Sequence, residues 1–158
     1  MAILKQPEIG GAVPPHQDST FLYTDPPSAV GFWYALEDAT VENGCLSFLA
    51  GSHRWAGIGR RLVRKEGGGT EMVENTGARF PRGEGGGVEE EGGEYTVGEV
   101  KAGTLVLIHG NLLHKSEANT SGKGRVAYTF HVIEGEEEYD GRNWLQPGDE
   151  GFTKVFKD

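Results

Sequence analysis

Short segments with β-strand character follow one another along this sequence, and long helical patterns are nearly absent. The clearest segment covers residues 125–132, in which apolar side chains occupy every second position: Val126, Tyr128, Phe130 and Val132. The intervening positions hold Arg125, Ala127, Thr129 and His131. A period of two places these sets on opposite faces of one strand. Further strands are predicted at 30–36, 45–49 and 104–109, so we expect a mainly β sandwich or barrel.

Glycine- and proline-containing turns separate these segments. Pro14-Pro15 gives a rigid approach to His16 after a short strand near the start of the chain. Asn43-Gly44 is a strong hairpin signal between the predicted strands at 30–36 and 45–49. A length of 158 residues fits one domain. We therefore expect a single domain over 1–158.

The formal net charge of −9 argues against general nucleic-acid binding, which normally requires a basic face. Most of the acidic excess lies in residues 65–99, which hold nine acidic and three basic side chains. Within this stretch, residues 65–94 have two glycine triplets and little apolar content. Such a segment buries too little surface to offset the cost of ordering it. We expect a mobile insertion at about 65–94, either a solvated loop or a lid over a site.

The expected compartment is the cytoplasm. Cys45 is the only cysteine, so no intrachain disulfide is possible, and we expect it to be a small buried apolar residue. No apolar run approaches the roughly 18 residues that span a bilayer. The first residues lack a signal-peptide pattern, and the C-terminus is not a peroxisomal signal. A small-molecule substrate is expected, with neither nucleic acid nor membrane as a partner.

The tripeptide His16-Gln17-Asp18 is a candidate for metal binding. Residues two apart on an extended chain point to the same side, so one imidazole and one carboxylate can reach a single ion. A second histidine from elsewhere would complete a two-histidine, one-carboxylate set with three open positions, which is diagnostic of iron(II) oxygenases. A His-x-Asp tripeptide alone also fits a surface turn.

The second group of candidates lies between residues 109 and 125. His109 and His114 flank a short turn, and either could supply the third ligand. Ser116 follows, and Arg125 begins the alternating strand on the face that we expect to point inward. An inward arginine is costly to bury unless it meets an anion. A dicarboxylate co-substrate would supply that anion in a bidentate arrangement.

Long stretches of the sequence resemble the phytanoyl-CoA dioxygenase family, in particular its domain-containing-protein branch. They are VPPHQDSTFLYTDPP, VGFWYALEDATVENGCLSFLAGSHR, LVLIHGNLLHKSEANTSGKGRVAYTFHV and NWLQPG. The resemblance covers residues 1–64 and about 100–148, and the Gly/Glu-rich segment between them departs from it. It implies a double-stranded β-helix, also called a jelly roll and similar to the cupin fold.

The resemblance also implies the chemistry. His16 and Asp18 would be the proximal ligands of Fe(2+), and His114 the distal ligand. Arg125 would pair with the far carboxylate of 2-oxoglutarate, helped by Ser116. Trp33 would line the co-substrate pocket, although it also fits the apolar core.

Oxidative decarboxylation of 2-oxoglutarate would accompany hydroxylation of a C–H bond in a small organic or acyl substrate, with ascorbate as a candidate stimulant. Related iron halogenases leave the carboxylate position vacant, so Asp18 favours hydroxylation over halogenation. Epimerisation, ring formation and desaturation use the same ligands and stay open.

Other polar residues have less specific interpretations. His53 follows a Gly-Ser turn and is expected in a loop, with a substrate contact as the alternative. His131 lies six residues beyond Arg125, about 20 Å along a strand, so we expect it to be structural or at the rim. The basic residues at 60, 61 and 64 are expected to be solvated, or else to contact an acidic substrate.

Family members are usually about twice as long, and this chain begins near the end of what resembles the first barrel strand. The jelly roll is therefore expected to be incomplete at the N-terminus. Segments 30–36 and 104–108 are apolar on both faces, so the sheet needs a covering layer. The alternatives are an inactive truncated fragment, a cupin-like metal-binding protein, a non-enzymatic interaction domain, or a zinc hydrolase.

Overall fold

The computed structural model describes residues 1–79 and 93–156, and it is built from short strands joined by turns. The first six strands are β1 (Ala2–Lys5), β2 (Val13–His16), β3 (Thr24–Asp25), β4 (Val30–Ala35), β5 (Leu46–Phe48) and β6 (Arg60–Arg64). The others are β7 (Thr70–Glu74), β8 (Thr96–Gly98), β9 (Leu105–His109), β10 (His114–Ser116), β11 (Arg125–Val132) and β12 (Glu138–Tyr139). The prediction of a mainly β fold is confirmed. No helix in the described ranges has the length and apolar character needed to cross a membrane.

Two four-stranded antiparallel sheets form the body of the fold. The first has the order β1-β11-β4-β9 and the second the order β2-β10-β5-β8. Consecutive strands often change sheet, so β9, β10 and β11 belong in turn to the first, second and first sheet. This arrangement is the jelly roll that the family resemblance implies. The sequence signal was strongest for β11, and its predicted range matches the observed one.

The core lies between the two sheets. Trp33, Ala35, Ile108 and Ala127 of the first sheet pack with Cys45, and Leu46 of β5 packs against this cluster. Cys45 is a buried free thiol, as expected. The small side chains on β4 and β11 leave room for Trp33, which is 3 % exposed. The inward face of the first sheet therefore packs around one buried aromatic ring, Trp33.

The outward face of the first sheet is apolar and exposed. Tyr128 pairs with Tyr34, and Phe130 with Phe32, across β11 and β4. The rings of Phe32 and Phe130 stack with centroids 4.9 Å apart. Leu107 on β9 is 59 % exposed. The expectation of a sheet that is apolar on both faces is thus confirmed for these strands.

The expected hairpin at Asn43-Gly44 is wrong, although a turn does form there. Its flanking strands, β4 and β5, belong to different sheets. Asn43 Oδ1 accepts a hydrogen bond from the Thr40 amide, and Gly44 has a φ of 80° that suits glycine. The signal identified a tight turn correctly, but the longer connection between the strands allows the chain to cross from one sheet to the other.

A separate hairpin, formed by β6 and β7, extends into the Gly-rich insertion. Arg60 pairs with Glu74 and Arg64 with Thr70. Gly67, Gly68 and Gly69 have φ values of 85°, 111° and 80°, so the first glycine triplet makes the turn. Part of the expected loop at 65–94 is therefore a strand. Residues 80–92 of that loop lie outside the described residues, and its mobility stays a prediction.

Gly110 lies where two backbone segments approach closely beside the candidate site. Its amide donates to the Ala29 carbonyl, and its carbonyl accepts from the Ser19 amide. A Cβ at this position would lie 2.5 Å from the Ala29 oxygen and closer still to Ser19 Oγ. We expect Gly110→Ala to lower the free energy of unfolding by about 1–3 kcal/mol, because the added methyl group would force these two segments apart. Urea denaturation measures this change.

The matched control is Gly122→Ala. A Cβ at Gly122 would meet nothing within 4 Å. We expect its effect to stay within about 0.5 kcal/mol. Equal stabilities for the two variants would contradict the close approach seen at Gly110.

Candidate metal centre

The structure brings His16, Asp18 and His114 together at one end of the second sheet. His16 ends β2 and pairs directly with His114, which begins β10. Asp18 begins a short 3₁₀ turn, Asp18–Thr20, immediately after β2. Asp18 Oδ1 lies 3.6 Å from His16 Nε2 and 3.7 Å from His114 Nε2. One ligand atom from each of the three residues lies within 4.8 Å of the others, close enough for a shared metal ion.

Backbone carbonyls orient both imidazoles. His16 Nδ1 lies 2.9 Å from the Pro14 oxygen, and His114 Nδ1 lies 2.9 Å from the Leu112 oxygen. A carbonyl oxygen can only accept, so each Nδ1 must carry the proton. In the neutral ring this leaves the Nε2 lone pair free to bind a metal. Both histidines therefore present the correct nitrogen towards Asp18.

The electrostatics of the cluster favour the protonation states that a metal requires. Burial alone would raise the pKa of Asp18, but a hydrogen bond from His131 and the three nearby histidines outweigh it, and the pKa falls below its ordinary value. Burial lowers the pKa of His114, and the opposing effect of Asp18 does not reverse this. An ionised carboxylate and a neutral imidazole follow at neutral pH.

Gln17, between the two proximal candidates, fixes the local backbone. Its side chain is 1 % exposed, and its amide nitrogen donates to the carbonyls of Ala56 and Asn111, both at 2.8 Å. The Gln17 side chain thus ties the turn between His16 and Asp18 to two other segments. No sequence pattern predicts this role, because both acceptors are backbone atoms distant along the chain.

His131 lies closer to the cluster than expected. Its Nε2 is 3.1 Å from Asp18 Oδ2. Its distance from Arg125 along β11 suggested a rim position, and its side chain is indeed 25 % exposed. The contact with Asp18 depends on how the first sheet meets the 3₁₀ turn. The spacing of residues along β11 cannot predict which residues of the 3₁₀ turn lie beside this strand.

Arg125 is buried deep inside the jelly roll, with 1 % of its surface exposed. Its Nη2 donates to the Gly44 carbonyl at 2.8 Å, and its guanidinium carbon lies 5.4 Å from the Trp33 ring centroid. Its Nε and Nη1 have no hydrogen-bond partner among the described residues. Two buried donors without acceptors are costly in a folded protein unless a partner from outside the described residues satisfies them.

Lys5 adds a second buried cation that the sequence did not reveal. It pairs directly with Arg125 across β1 and β11 and is 4 % exposed. Its Nζ donates to the carbonyls of Gly11 and Glu117. Burial, followed by repulsion from Arg125, lowers the pKa of Lys5 to about 8. Two like charges on directly opposed residues of neighbouring strands repel each other, so this pair gathers positive charge inside the fold at a cost in stability.

The remaining candidates for the co-substrate site are also buried. Ser116 is 4 % exposed and lies two residues after His114 on β10, which places both on the same face of that strand. Trp33 belongs to the apolar core and also faces Arg125. The two interpretations of Trp33 therefore do not exclude each other.

His109 and His53 lie together, apart from the metal candidates. Their ring centroids are 5.2 Å apart. His109 Nδ1 accepts a hydrogen bond from the Asn111 amide, and the proposed metal group contains His114 instead. His53 lies in the 3₁₀ turn Ser52–Arg54, in agreement with the expected loop position.

The basic residues at 60, 61 and 64 do not form one surface patch, because Arg61 is buried and the other two are exposed. Arg61 is 3 % exposed, and its Nη1 donates to Asp140 at 2.7 Å. Its Nη2 donates to Asn143 at 3.1 Å, and its guanidinium stacks over the Tyr23 ring at 4.0 Å. Arg61 therefore has an internal structural role, and neither the solvated nor the substrate-binding interpretation applies to it.

Comparisons with known proteins agree with this architecture. The model of the phytanoyl-CoA dioxygenase family matches residues 1–127. The chain is 46 % identical over 149 residues to phytanoyl-CoA dioxygenase domain-containing protein 1 of Bos taurus, covering 93 % of this chain and 48 % of that protein. It is 48 % identical over 147 residues to phytanoyl-CoA dioxygenase 1 of Oryza sativa subsp. japonica, covering 92 % and 48 %. The chain thus spans about half the length of these relatives.

Solved structures show the same fold. The carbocyclase SnoK from nogalamycin biosynthesis, a non-haem, α-ketoglutarate-dependent enzyme, is 25 % identical with a TM-score of 0.65, covering 97 % of this chain and 57 % of SnoK. EvdO2 of Micromonospora carbonacea var. aurantiaca, solved with 2-oxoglutarate, is 21 % identical with a TM-score of 0.55, covering 91 % and 55 %. On the evidence of the matched family model and the curated relatives, this chain belongs to the phytanoyl-CoA dioxygenase family.

Proposed function

We propose that this chain carries the catalytic centre of an iron(II)- and 2-oxoglutarate-dependent dioxygenase. The observation that carries the proposal is Arg125, whose Nε and Nη1 are buried without acceptors. The dicarboxylate 2-oxoglutarate would satisfy them with its far carboxylate in a bidentate pair. A cupin-like protein that binds only a metal would have no use for these donors.

The donor set of the cluster fits iron(II). His16 and His114 would each bind through Nε2, and Asp18 through Oδ1. Two imidazole nitrogens and one carboxylate oxygen are the protein ligands of non-haem iron(II) oxygenases, which leave positions open for co-substrate and O₂. The Pro14 and Leu112 carbonyls hold both rings in the binding tautomer. His114 is buried, whereas the side chain of His16 is 23 % exposed, so the cluster opens to solvent on the His16 side.

The buried cations would position 2-oxoglutarate. Arg125 would hold its far carboxylate, with Ser116 as a second donor, and Trp33 would form one wall beside the guanidinium. Lys5 is held by backbone carbonyls, so it would contribute positive charge without direct contact. These residues would direct the keto acid end of the co-substrate towards the metal ligands.

Bound iron(II) and 2-oxoglutarate would supply the oxidising chemistry, in which 2-oxoglutarate, O₂ and a C–H bond give succinate, CO₂ and a hydroxylated product. The chain's own residues would bind and orient the reactants and exclude water around Arg125. The substrate class proposed is a small organic or acyl compound. Ascorbate is proposed as a stimulant that maintains the reduced metal.

Calorimetry on the purified 158-residue chain tests the proposal. We expect 2-oxoglutarate to bind in the presence of Fe(2+) under anaerobic conditions and to bind much more weakly without metal, because its keto acid end would lose its anchor. Succinate release with ascorbate and a panel of acyl-CoAs and other small substrates then tests turnover. Iron binding without any effect on 2-oxoglutarate affinity would contradict the proposal and favour a metal-binding protein.

A further inference from the structure

The two oxygens of the Asp18 carboxylate face different partners. Oδ1 points to the Nε2 atoms of His16 and His114, at 3.6 Å and 3.7 Å. Oδ2 lies 3.1 Å from His131 Nε2, within hydrogen-bond distance. Only Oδ1 is therefore directed at the proposed metal position, and Oδ2 is available for a hydrogen bond.

His131 differs from the two proposed histidine ligands in what its Nε2 can do. A carboxylate oxygen accepts hydrogen bonds, so the His131 Nε2 beside it must carry a proton to bind it. A protonated nitrogen has no lone pair for a metal. His16 and His114 have the opposite arrangement, since their Nδ1 atoms face carbonyls and their Nε2 atoms are free. The third histidine is thus suited to holding the carboxylate.

The neighbouring strand leaves space for this contact. Gly31 on β4 pairs with His131 on β11. A Cβ on Gly31 would lie 3.1 Å from Asp18 Oδ2 and 3.4 Å from His131 Nε2 and Cδ2. A glycine in the interior of a strand generally lowers stability by about 0.5–1 kcal/mol relative to alanine. Its presence opposite His131 allows the imidazole and the carboxylate to meet.

We infer that His131 is a positioning residue, which holds Asp18 Oδ2 so that Oδ1 is presented to the metal. The inference rests on the proposed function, because it assigns a role within the same metal site. Carboxylates that bind metals are themselves held by hydrogen bonds, and loss of such an outer partner typically costs about 10–100-fold in metal affinity. His131 would raise metal affinity by fixing one rotamer of Asp18 before the ion binds.

The test measures Co²⁺ affinity by visible absorption, without any turnover. We expect His131→Leu to weaken Co²⁺ binding about 10–100-fold. His131→Gln keeps a side-chain N–H at a similar reach and should recover most of the affinity. His109→Leu is the matched control, since His109 lies outside the metal group, and it should bind as tightly as the unmodified chain. Thermal melting of each metal-free variant confirms that it is folded.

A double-mutant cycle with Asp18→Ala separates positioning from general damage. Residual Co²⁺ binding through His16 and His114 should be the same with or without His131→Leu in this background, because no carboxylate remains to be held. An equal loss in both backgrounds would overturn the inference. Equal affinities of His131→Leu and the unmodified chain would also overturn it. Failure of the unmodified chain to bind Co²⁺ would instead reject the metal site itself.

Discussion

Asp18→Ala is expected to abolish metal-dependent 2-oxoglutarate turnover and to weaken metal binding by more than about 100-fold. Loss of a residue that only hydrogen-bonds to a metal ligand typically costs about 10–100-fold in metal affinity, and loss of the ligand itself should cost more. Asp18 is the only carboxylate in the proposed metal group. Its Oδ1 lies between two imidazoles, each of which presents Nε2 towards it. Without it, two histidines on neighbouring strands remain, and they supply neither the negative charge nor the third position. Co²⁺ titration and succinate release measure the two effects.

The control for Asp18 is another aspartate whose carboxylate is fixed by neighbouring groups. Asp38 is exposed, pairs with Lys101 at 2.8 Å and accepts from the Ala102 amide. Asp38→Ala should leave Co²⁺ affinity unchanged. Asp18→Asn should behave like Asp18→Ala, because the amide retains the volume of the side chain and loses its charge. Metal affinity close to that of the unmodified chain in Asp18→Ala would contradict the assignment of Asp18 as a ligand.

Folding must be checked in the Asp18 variants, because the carboxylate also stabilises the metal-free protein. The pKa of Asp18 lies below its ordinary value of 3.8. A depressed carboxyl pKa contributes stability above the unfolded value, and this contribution is lost as the pH falls through the folded pKa. At neutral pH the variants therefore lose some stability. Circular dichroism at the temperature of the titration distinguishes a missing ligand from a missing fold.

Local patterns in the sequence were sufficient to predict β11, which holds Arg125, but not the short strands β2 and β10, which hold His16 and His114. The alternation at 125–132 identified β11 and separated the Arg125 face from the apolar face, because strand side chains alternate strictly between faces. The pattern did not decide which face points inward, and the burial of Arg125 shows that its face does. His16 and Asp18 were identified as neighbours by their spacing alone. The choice of His114 over His109 came from family resemblance, since both flank the same turn. The structure places His114 opposite His16.

These local patterns could not predict contacts between segments that are distant along the chain. Lys5 lies beside Arg125 only because β1 pairs with β11 in one register. His131 reaches Asp18 only because the first sheet meets the 3₁₀ turn after β2. The Gly-rich segment was misleading for a different reason. Its composition resembles a loop, yet Gly67, Gly68 and Gly69 provide the turn that allows β6 and β7 to pair.

Arg125→Met is expected to raise the Kd for 2-oxoglutarate at least about 100-fold while leaving Co²⁺ affinity unchanged. Each hydrogen bond to a charged group contributes about 1.5–3 kcal/mol, so loss of a bidentate pair corresponds to about 3–6 kcal/mol. Arg125→Lys keeps the charge but offers no planar pair of donors, so it should bind with intermediate affinity. Calorimetry with the metal present measures all three proteins.

The stability of Arg125→Met provides an independent test when it is compared with that of Arg61→Met. Both arginines are buried, but Arg61 donates from Nη1 and Nη2 to Asp140 and Asn143 and leaves only its Nε without an acceptor, whereas Arg125 leaves both Nε and Nη1 without one. Removing Arg61 leaves the buried Asn143 oxygen and the partly buried Asp140 carboxylate unpaired and should cost about 1–3 kcal/mol of unfolding free energy. Removing Arg125 loses one hydrogen bond, to the Gly44 carbonyl, but it also removes two unpaired buried donors and the repulsion with Lys5, so stability without ligand should fall less than in Arg61→Met or not at all.

The two arginine variants should therefore show opposite effects. Arg125→Met should be stable and should bind 2-oxoglutarate poorly, and Arg61→Met should be less stable and should bind it normally wherever it is folded. A large loss of stability in Arg125→Met with unchanged 2-oxoglutarate affinity would mean that this guanidinium is a structural element like Arg61. In that case the unpaired donors would not mark an anion site, and the principal support for a 2-oxoglutarate-dependent enzyme would be lost.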